Sequence, residues 1–284
     1  MPVHPNTKQP LLVAIQLNSS DKLEENLDTT FIQLKAAKQN GAACAVLPEN
    51  FAWLGDEDKA RHTAEIEGHG QVQEFLSQSA NELGLWIIGG SHRIIAPDDK
   101  NNRVTNTTHV YNPDGVLAAR YDKIHLFDAE VNDGIAYRES ATIKAGESLV
   151  VVDLGFARIG LSICYDIRFP ELYQALRNKG ADIIVVPSAF TVPTGRAHWQ
   201  PLLRARAIEN QVYIIAPAQC GTHSNGRKTW GHSLCIDPWG EIVGQLENDP
   251  GSIYCPFDAD TIKDIRKQMP VARHHRLKAK KANN

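Results

Sequence analysis

The chain has 284 residues, of which 42% are hydrophobic and 22% charged, and its formal net charge at pH 7 is −3. This length and composition are typical of a globular protein with a sizeable buried core, and the slightly negative charge gives no reason to expect a nucleic-acid partner. Because the N-terminal residues lack a signal pattern and the apolar runs are too short to cross a bilayer, we expect a cytoplasmic protein without membrane contact.

The predicted elements of the first half alternate between strands and helices and end in a hairpin. Short apolar runs predict the strands, and helical spacing of apolar residues predicts the helices. In chain order these elements cover residues 11–17, 23–39, 43–48, 71–83, 85–91 and 108–121. The hairpin turns at an Asn-Pro-Asp-Gly sequence, where proline presets φ and glycine permits a positive φ.

The second half repeats this order of elements. Its predicted elements cover residues 157–163, 170–179, 181–187, 197–210, 211–217 and 233–246. The repeat is also visible in the letters, because GAACAVLPENF from Gly41 and GADIIVVPSAF from Gly180 share Gly, Ala, Val, Pro and Phe at a constant offset of 139 residues. We therefore predict an α/β protein in which two related halves pack their sheets together, as a four-layer α-β-β-α sandwich with a pseudo-twofold axis.

The cysteines and histidines do not form a ligand pattern. The five cysteines, an odd number, are widely spaced and contain no CxxC pair, which predicts neither a disulfide framework nor a zinc site. We expect most of them to be buried thiols in a reducing compartment. The histidines lack paired i,i+4 spacing, so we expect no metal.

Three reactive side chains follow predicted strands. Glu49 follows the strand at 43–48, Lys123 follows the hairpin, and Cys164 follows the strand at 157–163. Ligands of open α/β sheets bind at the carboxyl ends of strands. A carboxylate base, an ammonium and a thiol are the groups that amide hydrolysis requires, with the backbone N–H of Tyr165 as a second donor to the oxyanion. A turn-capping glutamate, a surface lysine and a packed thiol are the alternative, structural interpretations.

The sequence blocks around these residues resemble the nitrilase superfamily of carbon–nitrogen hydrolases. The blocks are LPENF, YDKIHLFD and GLSICYDIRFPEL, in the order found in that family, and the resemblance covers roughly residues 10–270. It implies one hydrolase domain over residues 1–284 that needs no cofactor. It also implies that Glu49 is the general base and acid, Lys123 the oxyanion stabiliser and Cys164 the nucleophile.

The resemblance implies a fourth catalytic residue. Glu139, in the sequence YRES, matches a second glutamate that orients the lysine and the substrate. An ion pair between Glu139 and Arg138 is the alternative.

The resemblance is greatest to deaminated glutathione amidases and the neighbouring omega-amidases. It rests on the stretches AQCGTH, WGHSLCIDPWG and PSAFTVPTGRAHWQPLLRARAIENQVY. It implies a cysteine-dependent amidase that hydrolyses a small carboxylate-bearing amide, deaminated glutathione, through a thioester. The alternatives are an omega-amidase acting on α-ketoglutaramate, an N-carbamoyl amine amidohydrolase, and a non-catalytic scaffold on the same fold.

The carboxylates of both amide substrates require a cation near the nucleophile. Arg168 lies four residues after Cys164, and its guanidinium is suited to bidentate binding of a carboxylate. An ion pair with Asp166 or Glu171 is the alternative role of Arg168.

The internal repeat predicts further residues of the substrate pocket. The segment SAFT occupies the position that corresponds to Glu49 in the other half, so Ser188, Phe190 and Thr191 are expected to line the same pocket. The basic C-terminal segment is expected to be a solvated tail, with a subunit-clasping arm as the alternative. Because this superfamily forms dimers or larger assemblies, we expect a homodimer or a larger homo-oligomer.

Overall fold

The computed structural model describes residues 9–56, 59, 61–131 and 136–276. The α-helices are Leu23–Gln39 (α1), Gln71–Leu83 (α2), Pro170–Asn178 (α3), Val192–Asn210 (α4), Ala259–Gln268 (α5) and Val271–His274 (α6). The strands are Leu11–Gln16 (β1), Ala42–Val46 (β2), Trp86–Ile88 (β3), His92–Ile95 (β4), Val104–Tyr111 (β5), Leu117–Asp122 (β6), Asp128–Glu130 (β7), Ala136–Arg138 (β8), Val151–Asp153 (β9), Arg158–Leu161 (β10), Ile183–Val185 (β11), Tyr213–Ala216 (β12), Cys220–Thr222 (β13), Lys228–Trp230 (β14), Leu234–Ile236 (β15), Ile242–Gln245 (β16) and Gly251–Pro256 (β17).

Two large sheets have matching topologies. The first has the order β17-β1-β2-β3-β5-β4, with β6 also paired to β5, and the second has the order β16-β15-β12-β11-β10-β9. Each contains three parallel strands, an antiparallel hairpin beyond the third, and an antiparallel strand beside the first. The predicted α-β-β-α sandwich of two pseudo-twofold-related halves is therefore confirmed.

The core follows from the alternation of side chains along the strands. On β1, Leu12 and Ala14 belong to a cluster that joins the two sheets, whereas Val13 and Ile15 pack in a second cluster with α1 and α2. Successive side chains of a strand point to opposite faces, so a strand covered on both faces is apolar throughout. Each fully buried aliphatic side chain contributes about 1.5–3 kcal/mol to folding.

The repeated glycines mark equivalent turns in the two halves. Gly41 follows α1 with φ of 84°, and Gly180 follows α3 with φ of 90°. Glycine adopts this left-handed conformation without the steric cost that a Cβ imposes. The constant offset found in the sequence therefore reflects the same helix-to-strand turn in each half.

Helix α4 begins earlier than its predicted first residue, 197. It starts at Val192 and includes Gly195, a residue that disfavours a helix interior. A Cβ on Gly195 would lie 2.2 Å from Cγ of Trp230, so only glycine allows this close contact. None of the described helices is long and apolar enough to cross a membrane, and residues 277–284 of the predicted basic tail lie outside the described range.

Buried histidines make the fold sensitive to acid. His92, His109 and His223 are buried, and burial lowers the pKa of each; the pKa of His223 falls to about 4. The His223 ring fits a neutral tautomer, because Nδ1 donates to the carbonyl of Ser19 and Nε2 accepts from Thr229. Between about pH 6.5 and pH 4 the unfolded chain therefore binds protons that the folded chain does not.

We expect the free energy of unfolding to fall as the pH drops from 6.5 to 4, by about 1 kcal/mol per pH unit for His223. Urea denaturation at several pH values measures this slope. The His223→Gln variant is the matched comparison: it should be less stable than the wild type at pH 7 but should lose less further stability on acidification. Equal slopes for the two proteins would contradict the assignment to His223.

Candidate active site

Glu49, Lys123 and Cys164 come together although they follow strands of two different sheets. Glu49 lies three residues beyond β2, Lys123 directly follows β6, and Cys164 begins a short 3₁₀ turn beyond β10. All three are buried, at 3%, 2% and 8% exposure respectively. The strand ends therefore place a carboxylate, an ammonium and a thiol in one nearly dry location.

Lys123 bridges two carboxylates. Its Nζ lies 2.9 Å from Oε1 of Glu49 and 3.0 Å from both carboxylate oxygens of Glu139. Burial alone would lower the pKa of Lys123, but the charges of Glu139 and Glu49 outweigh burial and raise it. The ammonium therefore stays charged in the buried site, where it is a strong donor to a developing negative charge.

Glu139 contacts Lys123 rather than Arg138. Its Oε2 also accepts a hydrogen bond of 2.6 Å from the backbone N–H of Phe127, which fixes the carboxylate at the edge of the site. Arg138 pairs instead with Glu130, at 3.0 Å. The geometry therefore matches the expected lysine-orienting position and not the alternative ion pair.

Cys164 has a strained backbone and a thiol whose pKa is raised. Its φ is 47°, which is rare for a residue with a Cβ, and its N–H donates to the carbonyl of Pro187 at 2.8 Å. Burial and the charge of Glu49 raise the pKa of Cys164, against the opposing effects of Lys123 and of a hydrogen bond from the N–H of Ala189. The two main causes therefore favour the thiol over the thiolate in the resting site.

The Glu49 carboxylate is the base nearest to this thiol. Burial acts to raise the pKa of Glu49, but the charge and hydrogen bond of Lys123, with a hydrogen bond from Cys164, lower it overall. The carboxylate is therefore ionised while the thiol beside it holds its proton. The contact places a proton acceptor beside the nucleophile, and because the two shifts disfavour transfer in the resting site, the proton is expected to move only as the sulfur attacks a substrate.

Sequence reasoning missed Asn106, on β5. Its Nδ2 donates to Oε1 of Glu49 at 3.0 Å and lies 3.5 Å from Oε1 of Glu139, and its carbonyl accepts from the N–H of Lys123. One side chain thus contacts both carboxylates that surround the lysine. No local motif marks Asn106, because it becomes part of the site only through pairing of β5 with β6.

Asp166 is a second residue that sequence reasoning left out of the site. Its fully buried carboxylate accepts from the Tyr121 hydroxyl at 2.6 Å, from both the N–H and Nδ1 of His125, and from the N–H of Ile163. It therefore joins the turn that carries Cys164 to the segment that carries Lys123. Its position two residues after the cysteine was the available signal.

A cavity of about 520 Å³ opens beside these residues. Arg168, Phe190 and Thr191, which were expected to lie near the substrate, line it together with Tyr165, but Ser188 does not. Ser188 is fully buried, and its hydroxyl donates to the carbonyl of Val186. The repeat therefore indicates correctly that the SAFT segment lies beside the cavity, but the Ser188 side chain makes its hydrogen bond to the backbone of its own segment.

Arg168 forms neither of the expected ion pairs within the described part of the chain. Its guanidinium lies 5.7 Å from the ring centroid of Tyr165 and 5.6 Å from that of Phe190, and Nη1 is 3.3 Å from Nδ1 of His198. The cation is thus held by aromatic rings at the cavity wall, where it can receive a carboxylate.

The chain is similar to known proteins over most of its length. A family model described as carbon-nitrogen hydrolase matches residues 11–267. The chain is 42% identical to a deaminated glutathione amidase of Yersinia enterocolitica over 264 residues, which cover 93% of this chain and 92% of that protein. It is 37% identical to omega-amidase NIT2-A of Xenopus laevis over 266 residues, which cover 93% and 94% of the two proteins.

Two solved structures have the same fold. The NitFhit protein of C. elegans superposes with a TM-score of 0.86 at 35% identity and covers 94% of this chain, which spans 65% of that longer chain. Nit3 of Saccharomyces cerevisiae, a member of branch 10 of the nitrilase superfamily, superposes with a TM-score of 0.85 at 30% identity; the match covers 95% of this chain and 97% of Nit3.

Proposed function

The chain belongs to the carbon-nitrogen hydrolase family, and we propose that it is an amidase whose nucleophile is Cys164 and whose reaction passes through a thioester. The observation that carries this proposal is the buried thiol of Cys164 beside the carboxylate of Glu49, whose Oε1 lies 2.9 Å from the buried ammonium of Lys123. A packed structural thiol needs neither of these partners.

The acylation half of the reaction follows from the positions of these groups. Glu49 removes the proton of Cys164 as the sulfur attacks the amide carbon, so that a free thiolate need not accumulate. The carbonyl oxygen becomes an oxyanion, which the Lys123 ammonium and the backbone N–H of Tyr165 stabilise. As the carbon–nitrogen bond breaks, Glu49 returns the proton to the leaving nitrogen and a thioester remains.

The deacylation half uses the same groups with water in place of the thiol. Glu49 removes a proton from a water molecule that attacks the thioester carbon, and Lys123 again stabilises the oxyanion. The sulfur leaves and regains its proton from Glu49, which releases the carboxylic acid. Glu139 and Asn106 hold Lys123 and Glu49 in position through both halves.

Deaminated glutathione is the substrate that we propose, with α-ketoglutaramate as the second candidate. Relatives with both activities are similar to this chain over nearly its whole length. The cavity is lined by five cationic side chains and two carboxylates, although the chain as a whole is negative, so it favours an anionic amide. Its volume falls within the range of pockets for drug-sized ligands, which accommodates the larger of the two compounds.

An assay of the purified chain on three compounds tests the proposal. We expect kcat/KM to be highest for deaminated glutathione and lower for α-ketoglutaramate, and we expect intact-mass spectrometry to detect the acyl group on the protein during turnover. A higher kcat/KM for α-ketoglutaramate would favour the omega-amidase. Hydrolysis of an N-carbamoyl amine alone would contradict both substrates, and no hydrolysis of any compound would favour a non-catalytic scaffold.

We also propose that the chain acts as one domain in a cytoplasmic homodimer or larger homo-oligomer. The cluster that joins the two sheets supports one domain, because both halves contribute to it. The buried free thiols support a reducing compartment. The exposure of several large apolar side chains supports self-association; among them are Ile208, Trp239, Ile242 and Val243.

A further inference from the structure

Arg227 lies on the wall of the cavity, and neither the catalytic groups nor the predicted substrate residues include it. It is one of four arginines that line the cavity, whereas both lining carboxylates, Glu49 and Glu139, are bound to Lys123. Arg138 is paired with Glu130, but Arg168 and Arg227 form no ion pair among the described residues, so the cavity wall carries two guanidinium groups for anionic substrate groups. The second guanidinium raises the question of which second anionic group the cavity binds.

The hairpin of β13 and β14 anchors the backbone of Arg227 to the segment that follows Glu49, and the charge of Arg227 acts on Glu49. In the turn of this hairpin, Asn225 accepts from the N–H of Arg227 and donates through Nδ2 to the carbonyl of Gly55, six residues after Glu49. The pKa of Glu49, raised by burial and lowered mainly by Lys123, is lowered further by the charge of Arg227. Arg168, in contrast, follows Cys164 and contacts His198 of α4.

The guanidinium of Arg227 is held in place but retains unused donors. Its Nη2 donates to the carbonyl of Ala189 at 2.9 Å, and its Cζ lies 5.4 Å from the ring centroid of Tyr137. Its buried Nε has no hydrogen-bond partner among the described residues. Arginine carries five N–H donors in a planar fork, so a fixed guanidinium of this kind is prepared to bind a carboxylate.

The side of the site on which Glu49 lies is the side of the leaving group, because Glu49 gives its proton to the departing nitrogen. Deaminated glutathione releases cysteinylglycine, which ends in a carboxylate, whereas α-ketoglutaramate releases ammonia. We propose that Arg227 binds the carboxylate of the leaving amine and thereby selects peptide-like acidic leaving groups. This inference rests on the proposed amidase function, and it leaves the acyl-side carboxylate to Arg168.

A positioning role is the competing explanation for Arg227. The carbonyl that it holds belongs to Ala189, whose N–H contacts the sulfur of Cys164. If Arg227 acted only in this way, its removal would reduce the hydrolysis of every amide by the same factor. A role in binding the leaving group instead predicts a loss that depends on the terminal carboxylate of the substrate.

A cycle of two proteins and two substrates distinguishes these roles. The proteins are the wild type and Arg227→Met, and the substrates are deaminated glutathione and its analogue with a C-terminal amide. In the wild type, amidation should lower kcat/KM by about 10–100-fold, because a charge-assisted hydrogen-bonded pair is lost. In Arg227→Met, kcat/KM for the acid should fall by a similar factor, and amidation should have little further effect.

The control is Lys228→Met, which removes a positive charge from an exposed neighbouring position on the same hairpin. In Lys228→Met, amidation of the substrate should lower kcat/KM by the same factor as in the wild type. An equal effect of amidation in the wild type and in Arg227→Met would overturn the inference while leaving the amidase function intact. If the wild type hydrolysed neither compound, the amidase function itself would be contradicted, and the inference with it.

Discussion

Replacement of Cys164 by alanine is expected to abolish amide hydrolysis, lowering kcat/KM by about 10⁴-fold or more, because loss of a covalent nucleophile removes the whole reaction path. The fold should change little. The substitution removes one sulfur atom from the cavity wall, and we expect a loss of about 1 kcal/mol or less in the free energy of unfolding. Initial rates on deaminated glutathione and urea denaturation measure the two effects, and the acyl adduct should be absent from the mass spectrum.

Cys44→Ala is the matched control for this variant. Cys44 is a fully buried thiol of β2 in the cluster between the sheets, away from the cavity wall. Its removal should reduce stability at least as much as the removal of Cys164 while leaving turnover close to that of the wild type. More than a few per cent of wild-type activity in Cys164→Ala would show that another group attacks the amide.

Glu49, Lys123 and Cys164 were candidates because each follows a recognisable strand, and the resemblance to the nitrilase superfamily then singled them out. Strand ends of one sandwich are brought together by its topology, so the position of each residue along the chain already limited where its side chain lies. The glycines of the repeat were also recognisable in the sequence, because the positive φ at Gly41 and at Gly180 favours glycine over other residues. What could be predicted was therefore local conformation and the order of elements.

Asn106, Asp166 and Arg227 could not be assigned in this way, because their roles depend on contacts between distant segments. Asn106 is 57 residues from Glu49, and Asp166 is 45 residues from Tyr121. Their partners follow from strand register and loop packing, which local patterns do not encode. The expectation for Ser188 failed for a related reason, since the repeat relates backbones and does not determine where a short side chain makes its hydrogen bond.

Lys123→Met should abolish turnover and also destabilise the fold, unlike Cys164→Ala. Without the ammonium, Glu49 and Glu139 lose the cation to which both are bound in a site that is almost dry, and removal of one partner from a buried ion pair costs about 3–5 kcal/mol. Burial, no longer opposed by the charge of Lys123, should raise the pKa of Glu49 in the folded variant above its value in the unfolded chain. The variant should therefore lose stability as the pH rises through that raised pKa.

Urea denaturation of Lys123→Met and of the wild type at pH 5 and pH 8 measures this loss of stability with rising pH. The double variant Lys123→Met, Glu139→Gln separates the two roles of the lysine. It removes one of the two negative charges that repel each other, so it should recover much of the stability at pH 8. It should remain inactive, because no ammonium is present to stabilise the oxyanion. If Lys123→Met were as stable as the wild type at pH 8, the proposed role of Lys123 in stabilising the two buried carboxylates would be contradicted. Activity in the double variant would instead require a different oxyanion donor.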